Sequence, residues 1–283
     1  MKLEPKGPLI SVNIPTFNSE KSLETCLSAV LSSSYENLEL IVVDSYSQDR
    51  TREIAEGFGA KVILTDWRLL GARYLGFKES KGSFILLLDS DQVLARDAIE
   101  RAVALFQEFD MLCLGERSYR PHNWVQKLFD ADRIISHSLN EFHPVKGEVL
   151  PRFFKRWILE KVFEEIPEDL LRTVIHFDHA LIYYQAYKLS RKVGLIPNTI
   201  YHMEMESFSE VWRKSLRFGA SLRKLPKTPE ARELLKRDGV VKRVKVRLSP
   251  RVVFSSKVKY ILPSFLLIFL KDVIFTRIGY LRG

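Results

Sequence analysis

Two patterns of apolar residues alternate along the first 114 positions of the chain. Strand-length segments rich in apolar residues occupy positions 10–14, 38–43, 61–64, 84–88 and 111–114. Between them, two stripes recur at helical spacing, formed by Leu23, Leu27, Val30 and Leu31 and by Ala98, Ala102, Leu105 and Phe106. Strands that alternate with amphipathic helices are typical of a doubly wound α/β sheet with parallel strands. Ligands of such sheets bind beyond the carboxyl ends of the strands, so the residues just after each strand are the first functional candidates.

The rest of the chain follows a less regular pattern. Positions 124–139 predict a helix, positions 142–147 a loop with histidine, proline and glycine, and positions 152–205 a second mixed unit. Another helix is predicted around positions 208–224, with breaks at Pro226 and Pro229, and an alternating KRVKVRL stretch follows. The uncharged run at 260–270 is too short to span a bilayer and contains Pro263. We therefore expect it to form an interfacial helix or a helix docked on the core.

Composition and charge narrow the class of protein. The chain has 283 residues, 46% of them hydrophobic, which suits one large globular domain with an appendage. Its formal net charge of +9 is unevenly distributed, because positions 211–283 contain 19 Lys+Arg and 4 Asp+Glu, against 25 and 31 in the rest. A basic tail behind a mildly acidic domain suits an anionic surface, either nucleic acid or the head groups of a bilayer. The alternative is a solvated basic face that binds nothing.

The cysteines and the N-terminal segment bear on the cellular compartment. Cys26 lies on a predicted helix and Cys113 in a predicted strand, so we expect buried core residues rather than a disulfide or a metal clip. The N-terminal segment lacks the apolar stretch of a signal peptide. We therefore expect the protein to reside in the cytoplasm.

The strongest chemical signal is Asp89-Ser90-Asp91, directly after the apolar segment 84–88. Ionised carboxylates at the end of a buried strand cost desolvation free energy unless they are paired or bound to a metal. Two carboxylates at this spacing suit Mg²⁺ or Mn²⁺, which takes one or two carboxylates and completes its shell with water and phosphate oxygens. The structural alternative is that Asp91 caps a helix while Asp89 lies in a turn.

Further polar residues follow the other predicted strands. Asp44 ends the second segment and IPTFN ends the first, so a nucleotide pocket at this edge would have a carboxylate for a base N–H and Phe17 to cover the base. Arg73 is placed to reach a diphosphate. As structural alternatives, Asp49 is a cap for a helix at Thr51, and Arg73 is an ordinary surface arginine.

Several ordered segments resemble those of glycosyltransferase family 2, the inverting enzymes of the GT-A fold. They read SVNIPTFNSEKSLETCLSAVL, ENLELIVVDSYSQDRT, GARYLGFKESKGSFILLLDSDQVL, LPRFFKRWILEKV, FDHALIYYQAYKLSRKVGLIP and NTIYHME. The resemblance covers roughly residues 9–206, and several motifs in order are more specific than any one alone. It implies a mixed Rossmann-like α/β sheet of the GT-A type at residues 1–206 and a basic, helical C-terminal region at residues 207–283.

The resemblance also implies roles for individual residues. Contacts to the nucleotide-sugar donor are expected from Pro15, Thr16, Phe17, Glu20, Asp44, Arg73 and Asp89. Metal binding is expected from Asp91 and His202, with Mn²⁺ or Mg²⁺ as the cofactor. Asp178 falls where the family has its catalytic base.

Two positions depart from the family pattern, and they leave alternatives open. Ser45 stands where a second acidic residue is frequent, and Phe177 stands beside Asp178 where a glutamate is usual. Asp178 could instead cap the helix predicted at 180–190. His176, His179 and His202 could all be structural histidines.

The predicted function is transfer of a sugar from a UDP- or GDP-sugar to a glycan or a polyprenyl-lipid-linked acceptor, with inversion. One enzymatic alternative, a nucleotidyltransferase, normally has a glycine-rich loop after the first strand, and this chain has Pro-Thr-Phe-Asn there. The other alternative is an inactive nucleotide-binding fold that acts as a membrane- or nucleic-acid-binding module.

The charge and aromatic content of positions 211–283 predict peripheral contact with an anionic membrane at the cytoplasmic face. Nucleic acid is a less favoured partner, because the tail has no recognisable nucleic-acid-binding motif. The aromatic residues expected at the membrane are Trp212, Phe218, Phe254, Phe265, Phe269 and Phe275. The alternative is a final helix that packs on the protein, as Lys271 and Asp272 interrupt its apolar pattern.

Overall fold

The computed structural model describes residues 7–137, 141–222 and 240–282. They group into two compact units. The first unit comprises residues 1–115 and 150–201, and the second comprises residues 116–149 and 202–283. The division predicted after residue 206 did not anticipate that residues 116–149 would group with the C-terminal region, and its assignment to functional domains stays a prediction.

The described residues include a mixed sheet of eight strands in the order β3-β2-β1-β4-β7-β6-β8-β5. The strands are β1 (Ile10–Thr16), β2 (Leu38–Asp44), β3 (Lys61–Leu64), β4 (Phe84–Leu87), β5 (Gln92–Leu94), β6 (Met111–Ser118), β7 (Pro151–Lys155) and β8 (Val193–His202). The four strands β3, β2, β1 and β4 pair in parallel, whereas β7 is antiparallel to both β4 and β6. The parallel arrangement predicted from the alternating pattern therefore holds for β1 to β4, whereas β6 joins the sheet through the antiparallel strand β7.

Helices connect the strands and make up most of the C-terminal region. They are α1 (Glu20–Leu31), α2 (Thr51–Gly57), α3 (Leu69–Glu79), α4 (Ala98–Leu105), α5 (Trp124–Ser136), α6 (Arg156–Glu165), α7 (Glu168–Thr173), α8 (Asp178–Leu189), α9 (Phe208–Leu222), α10 (Val240–Arg247), α11 (Pro250–Val253), α12 (Ile261–Ile268) and α13 (Thr276–Arg282). A 3₁₀ turn at Val258–Tyr260 precedes α12, and a π-helical segment at Phe269–Phe275 follows it.

The five strands predicted from apolar segments are confirmed as β1, β2, β3, β4 and β6, with ends that shift by up to four residues. The helix predicted at 124–139 ends at Ser136, and residues 138–140 lie outside the described residues. The same holds for the end of the 208–224 helix and for the breaks at Pro226 and Pro229. The alternating KRVKVRL stretch lies largely within α10, so its period of two does not indicate a strand.

Helices cover both faces of the sheet. Successive residues of a strand point to opposite sides, and in β2 the residues on both sides are apolar. In β2, Leu40 and Val42 join the core under α1 and α4, whereas Ile41 and Val43 pack against Ala72 of α3. Leu31 is the exception in the first predicted stripe, since it is 49% exposed at the last turn of α1. Cys26 and Cys113 are both buried free thiols, as predicted.

In the second unit, helices α9 and α13 approach until their backbones touch. A Cβ atom on Gly219 would lie 2.0 Å from the carbonyl oxygen of Thr276, and one on Gly279 would lie 2.2 Å from that of Leu216. Only glycine allows this approach. Among the described residues, no helix combines the length and apolar character needed to cross a bilayer.

A buried ion network joins helices of the second unit. The side chain of Arg247 is fully buried, and its guanidinium lies 2.6 Å from Asp132 and 2.6 Å from Glu148 and donates to the Ser264 hydroxyl at 3.0 Å. Burial alone would raise the pKa of Asp132, but Arg243 and Arg247, with a hydrogen bond from Ser264, lower it to about 2. The network therefore fixes α10 and α12 to α5.

We expect Arg247→Met to lower the free energy of unfolding of the second unit by about 3–5 kcal/mol, because Asp132 and Glu148 would lose the buried cation that lies 2.6 Å from each. Urea unfolding followed by circular dichroism measures the change. Arg251→Met is the matched control, since Arg251 is exposed, and its unfolding should match that of the unmodified protein. Equal unfolding curves for both variants would contradict this role of Arg247.

Candidate active site

The carboxyl ends of β1 and β2 meet at the parallel edge of the sheet, where Thr16 is paired with Asp44. Asp44 is 1% exposed, and its carboxylate accepts hydrogen bonds from the Thr16 hydroxyl at 2.8 Å and from the Ser47 backbone at 2.9 Å. The Ser47 hydroxyl donates a third, at 2.5 Å. These bonds hold the carboxylate in one orientation, and Ser47 is a contributor that sequence reasoning missed.

The predicted donor contacts around the first turn differ in exposure. Pro15 is buried within β1, whereas Phe17, just beyond the strand, is 61% exposed. Glu20 begins α1, and its carboxylate accepts from the Arg50 backbone at 3.2 Å. Asp49 accepts from the backbone N–H of Thr51 at 3.0 Å, as a helix cap would, although the helix boundary falls at Arg50. The exposed ring of Phe17, next to the strand that ends at Asp44, suits contact with a nucleotide base. The donor-binding roles of these residues stay predictions.

The Asp89-Ser90-Asp91 turn connects β4 to β5 and is held by hydrogen bonds. The Asp89 backbone N–H donates to the buried Gln92 side chain at 2.9 Å, and the Ser90 and Ser19 hydroxyls lie 3.0 Å apart. The predicted alternative in which Asp91 caps a helix is wrong, because Asp91 is followed by the strand β5. The half-buried Asp91 therefore stands in a turn between two strands.

Arg73, on α3, is buried at the centre of a charged cluster. It is 1% exposed, and its guanidinium forms ion pairs with Asp89 and Asp178. The alternative of a surface arginine is therefore wrong. Its Nη1 atom is buried without a hydrogen-bond partner among the described residues. A buried donor without a partner carries a desolvation cost, so Nη1 is one group at this site that an anionic ligand would satisfy.

Two further residues complete the cluster, and sequence reasoning assigned a site role to neither. Arg152, from β7, places Nη1 2.9 Å from the Asp89 carboxylate. The same Nη1 lies 2.7 Å from Nε2 of His179, on α8, and that nitrogen is 3.7 Å from Asp89. The only sequence signal for Arg152 was its position in the LPRFFKR segment. This segment contains β7, which pairs antiparallel to β4.

Asp178 is the first residue of α8, and its carboxylate points to Arg73 rather than to the helix backbone. The alternative of a helix cap is wrong, because no side-chain capping bond forms at this end of α8. The preceding Phe177 has a φ of 67°, a left-handed conformation that is uncommon outside glycine. Such a conformation persists where surrounding structure holds it in place, often beside functional residues.

Electrostatics fix the charge state of the cluster. Burial would raise the pKa of Asp89, but Arg152 and Arg73 hold it well below its usual range. Burial likewise opposes the effect of Arg73 on Asp178, whose pKa is lowered overall. For His179, burial and then the cations Arg73 and Arg152 lower the pKa, so the imidazole is neutral at pH 7. Two carboxylates and two guanidinium groups therefore balance around a neutral histidine.

His202, the second predicted metal ligand, belongs to the second unit. Its Nε2 atom lies 3.0 Å from the carboxylate of Glu116, which is in the same unit. Metal binding by His202 stays a prediction.

Few of the described side chains at this site could bind a divalent cation. Among the residues that the structure describes, no three His, Cys, Asp or Glu side chains are grouped to hold a metal. Asp89 is engaged by two arginines, and Asp91 is the other carboxylate of the turn. One carboxylate fits Mg²⁺ or Mn²⁺ if phosphate oxygens and water supply the other ligands. The fit therefore requires a phosphate-bearing substrate.

The profile of glycosyl transferase family 2 matches residues 11–166, more than half of the chain. The chain therefore belongs to this family.

Curated proteins named as glycosyltransferases match shorter stretches of the chain. Glycosyltransferase GlyG of Streptococcus pneumoniae serotype 4 is 32% identical over 113 residues, which are 36% of this chain and 36% of that protein. Glycosyltransferase AglE of Haloferax volcanii is 34% identical over 106 residues, which are 34% of this chain and 35% of that protein. The matches span about a third of the length of these relatives.

Solved structures support the GT-A fold. The Staphylococcus aureus TarS 1–349 structure has a TM-score of 0.53 at 18% identity, covering 88% of this chain and 73% of that one. Glucosyl-3-phosphoglycerate synthase from Mycobacterium tuberculosis, in complex with Mn²⁺, UDP and glucosyl-3-phosphoglycerate, has a TM-score of 0.52 at 18% identity, with coverages of 78% and 82%. The Pyrobaculum calidifontis mannosyltransferase PcManGT, in complex with GDP-Man and Mn²⁺, has a TM-score of 0.53 at 16% identity. This match covers 94% of this chain and 89% of that one. The TM-scores show that these proteins share a fold with this chain, and at identities this low the likeness concerns the fold alone.

We expect ¹⁵N NMR of the imidazole to show neutral His179 with its proton on Nδ1 at pH 7, because Nε2 accepts from Arg152. With a folded-state pKa below the ordinary 6.5, the ring should stay neutral as the pH falls through 6.5. Arg152→Met should raise this pKa, since a nearby cation is lost while Asp89 remains. Arg172→Met, at a surface arginine of the same unit, should leave it unchanged. An imidazolium signal at pH 7 would exclude this arrangement.

Proposed function

We propose that the protein is an inverting glycosyltransferase that moves a sugar from a UDP- or GDP-sugar to a hydroxyl of a glycan or lipid-linked acceptor. The observation that carries the proposal is the buried Arg73–Asp89–Asp178 cluster in the first unit. Asp44 and the exposed ring of Phe17 stand at the ends of the neighbouring strands. Family membership supplies the reaction class, and the donors named for TarS, the synthase and PcManGT supply the choice of UDP or GDP.

Donor binding uses the edge formed by β1, β2 and β4. Asp44, with its orientation fixed by Thr16 and Ser47, accepts a hydrogen bond from the base, and Phe17 covers the base. Arg73 offers the unsatisfied Nη1 atom to the diphosphate. Pro15, in β1, and Glu20, at the start of α1, flank the nucleoside. Asp89 holds Arg73 and Arg152 in place through ion pairs.

Asp91 would hold the Mn²⁺ or Mg²⁺ ion of this family, with His202 as a second candidate. Bound there, the cation would supply Lewis-acid stabilisation of the negative charge on a departing diphosphate. Arg73 contributes positive charge to the same region without a metal, from a position fixed by two carboxylates.

Asp178 acts as the general base. Its Oδ2 atom pairs with Arg73, whereas Oδ1 receives no hydrogen bond from the described residues. Oδ1 takes the proton of the acceptor hydroxyl as the acceptor oxygen bonds to the anomeric carbon. The bond from that carbon to the diphosphate breaks with its electron pair leaving on the diphosphate, and attack from the opposite face inverts the configuration.

The shared guanidinium couples donor binding to the base. Arg73 lowers the pKa of Asp178, which makes the carboxylate a weak base in this structure. A diphosphate that draws the Arg73 guanidinium toward itself weakens this ion pair and raises the pKa of Asp178. The base therefore becomes stronger when a donor is present.

Hydrolysis of UDP- and GDP-sugars, screened with and without Mn²⁺, tests the proposal directly. Release of one nucleoside diphosphate from a matching sugar donor supports it. Nucleotide binding without turnover, even with glycan and lipid-linked acceptors present, would instead favour an inactive nucleotide-binding module.

We expect Asp91→Ala to abolish Mn²⁺-dependent binding of the nucleoside diphosphate while the protein remains folded, because the change removes a cation ligand from a turn rather than core atoms. Isothermal titration with UDP and GDP, with and without Mn²⁺, measures this loss. Asp97→Ala, at an exposed carboxylate of the same unit, is the control. Unchanged Mn²⁺-dependent binding in Asp91→Ala would remove Asp91 from the site.

We expect Asp178→Asn to keep donor affinity but to lower transfer by roughly two to four powers of ten, the usual scale of general-base catalysis. An asparagine oxygen can still accept from Arg73, so the cluster should remain intact. Single-turnover transfer and donor titration separate the two effects, with Asp169→Asn on α7 as the exposed control. If donor affinity falls as far as transfer, Asp178 has a structural role.

A further inference from the structure

Part of the C-terminal region carries a row of apolar side chains that contact solvent. Val258, Leu262, Leu266 and Phe269 are 50%, 78%, 43% and 53% exposed. Their spacing of four, four and three residues places them on one side of the helical stretch that starts at the 3₁₀ turn and continues through α12. Phe254, four residues before Val258, is 87% exposed. We call these five side chains the apolar stripe.

The opposite side of α12 is fixed to its own unit. Ser264 is fully buried and hydrogen-bonds to Asp132 and to Arg247 at 3.0 Å. Leu267 and Ile268 are 4% and 2% exposed. Because these residues hold one face of α12 inward, the stripe faces away from the core of the second unit. Its exposure is therefore a property of the packed helix.

The charge around the stripe has one sign. Positions 240–270 contain seven Lys or Arg residues and no Asp or Glu. Arg243 and Arg247 turn inward to carboxylates, whereas Lys245, Arg251 and Lys259 are exposed and form no ion pair with any residue that the structure describes. The segment that carries the stripe thus also carries the exposed cations Arg251 and Lys259, and it favours a partner with negative charge.

We infer that the apolar stripe and its exposed cations form a docking surface for an anionic lipid bilayer, on which α12 lies without crossing it. Large aliphatic side chains bordered by Lys and Arg suit the boundary between head groups and acyl chains. Contiguous exposed apolar side chains of this size commonly mark an interaction surface. This inference concerns binding only and does not depend on the proposed transferase activity.

The chemistry of the surface disfavours the other occupants. In a twofold dimer through this face, the same cations of both copies would meet, and like charges at an interface oppose association. Nucleic acid would satisfy the cations, but it would leave Val258, Leu262 and Leu266 without a suitable contact, because single strands stack on aromatic rings. A bilayer satisfies both parts of the surface at once.

The geometry also corrects the residues expected at the membrane. Trp212 and Phe275 pack against each other, with ring centroids 4.7 Å apart, and Phe265 is half-buried. Phe254 and Phe269 remain exposed, and leucines of α12 join them. Trp212 and Phe275 therefore pack on each other, whereas Phe254 and Phe269 of the stripe are available to lipid.

Co-sedimentation of the full chain with vesicles tests the inference. Vesicles of phosphatidylcholine with 30% phosphatidylserine, by composition, should pellet the protein at low salt, and pure phosphatidylcholine vesicles should bind at least tenfold less. Phe254→Ser with Leu262→Ser should weaken partitioning into the anionic vesicles at least tenfold, since two apolar side chains lose their burial in lipid. Arg251→Glu with Lys259→Glu should weaken it by a similar or larger factor, about fivefold or more for each cation.

Matched controls lie in the first unit. Leu31→Ser with Leu189→Ser removes two exposed leucines, and Lys81→Glu with Arg96→Glu reverses two exposed cations. Both should bind vesicles like the unmodified protein. Unaltered melting temperatures of the stripe variants would support an open surface, and a marked fall would show that another part of the chain covers it.

Three outcomes would overturn the inference. The first is a protein that stays in the supernatant with anionic vesicles at low salt. The second is a stripe variant that binds like its control, since the apolar contact would then be irrelevant. The third is a stripe variant that instead converts a dimer to a monomer in light scattering, or abolishes binding of single-stranded RNA in fluorescence anisotropy.

Discussion

The site depends on one guanidinium that two carboxylates share. Arg73 is buried, and a buried cation is tolerated only with compensating negative charge. Asp89, after β4, and Asp178, at the start of α8, supply that charge from elements far apart in sequence. Arg152 and His179 extend the cluster, and removing Arg73 would leave Asp178 without its ion-pair partner. The geometry of the candidate active site is thus fixed by its electrostatics.

The same constraint governs how the cluster would work. Charges held by several partners do not reorganise freely, which suits a site that must stabilise charge on a leaving group. Because the cations depress the pKa of Asp178, the carboxylate is ionised but weakly basic until the pairing changes. A bound anion is the natural cause of such a change. In the proposed mechanism, the Arg73–Asp178 ion pair would both position the base and control its basicity.

The second unit uses buried charge for a different purpose. Arg247 holds α10 and α12 against α5 through Asp132 and Glu148, and it presents no group to solvent. By fixing one side of α12, this network exposes the other side, where the apolar stripe lies. Two of the arginines of the C-terminal region, Arg243 and Arg247, therefore have a structural role, whereas Arg251 and Lys259 remain exposed in the segment that carries the stripe.

The sequence by itself determined five of the eight strands and the family, because periodicity and short motifs are local signals. It also placed both cysteines in the core. It did not predict the site roles of Arg152 and His179 or the inward position of Arg73, nor that 116–149 groups with the C-terminal region. Those features depend on pairs such as Arg73 and Asp178, which are 105 residues apart. Folding brings such charges together, and a local sequence pattern does not indicate which distant residues will be in contact.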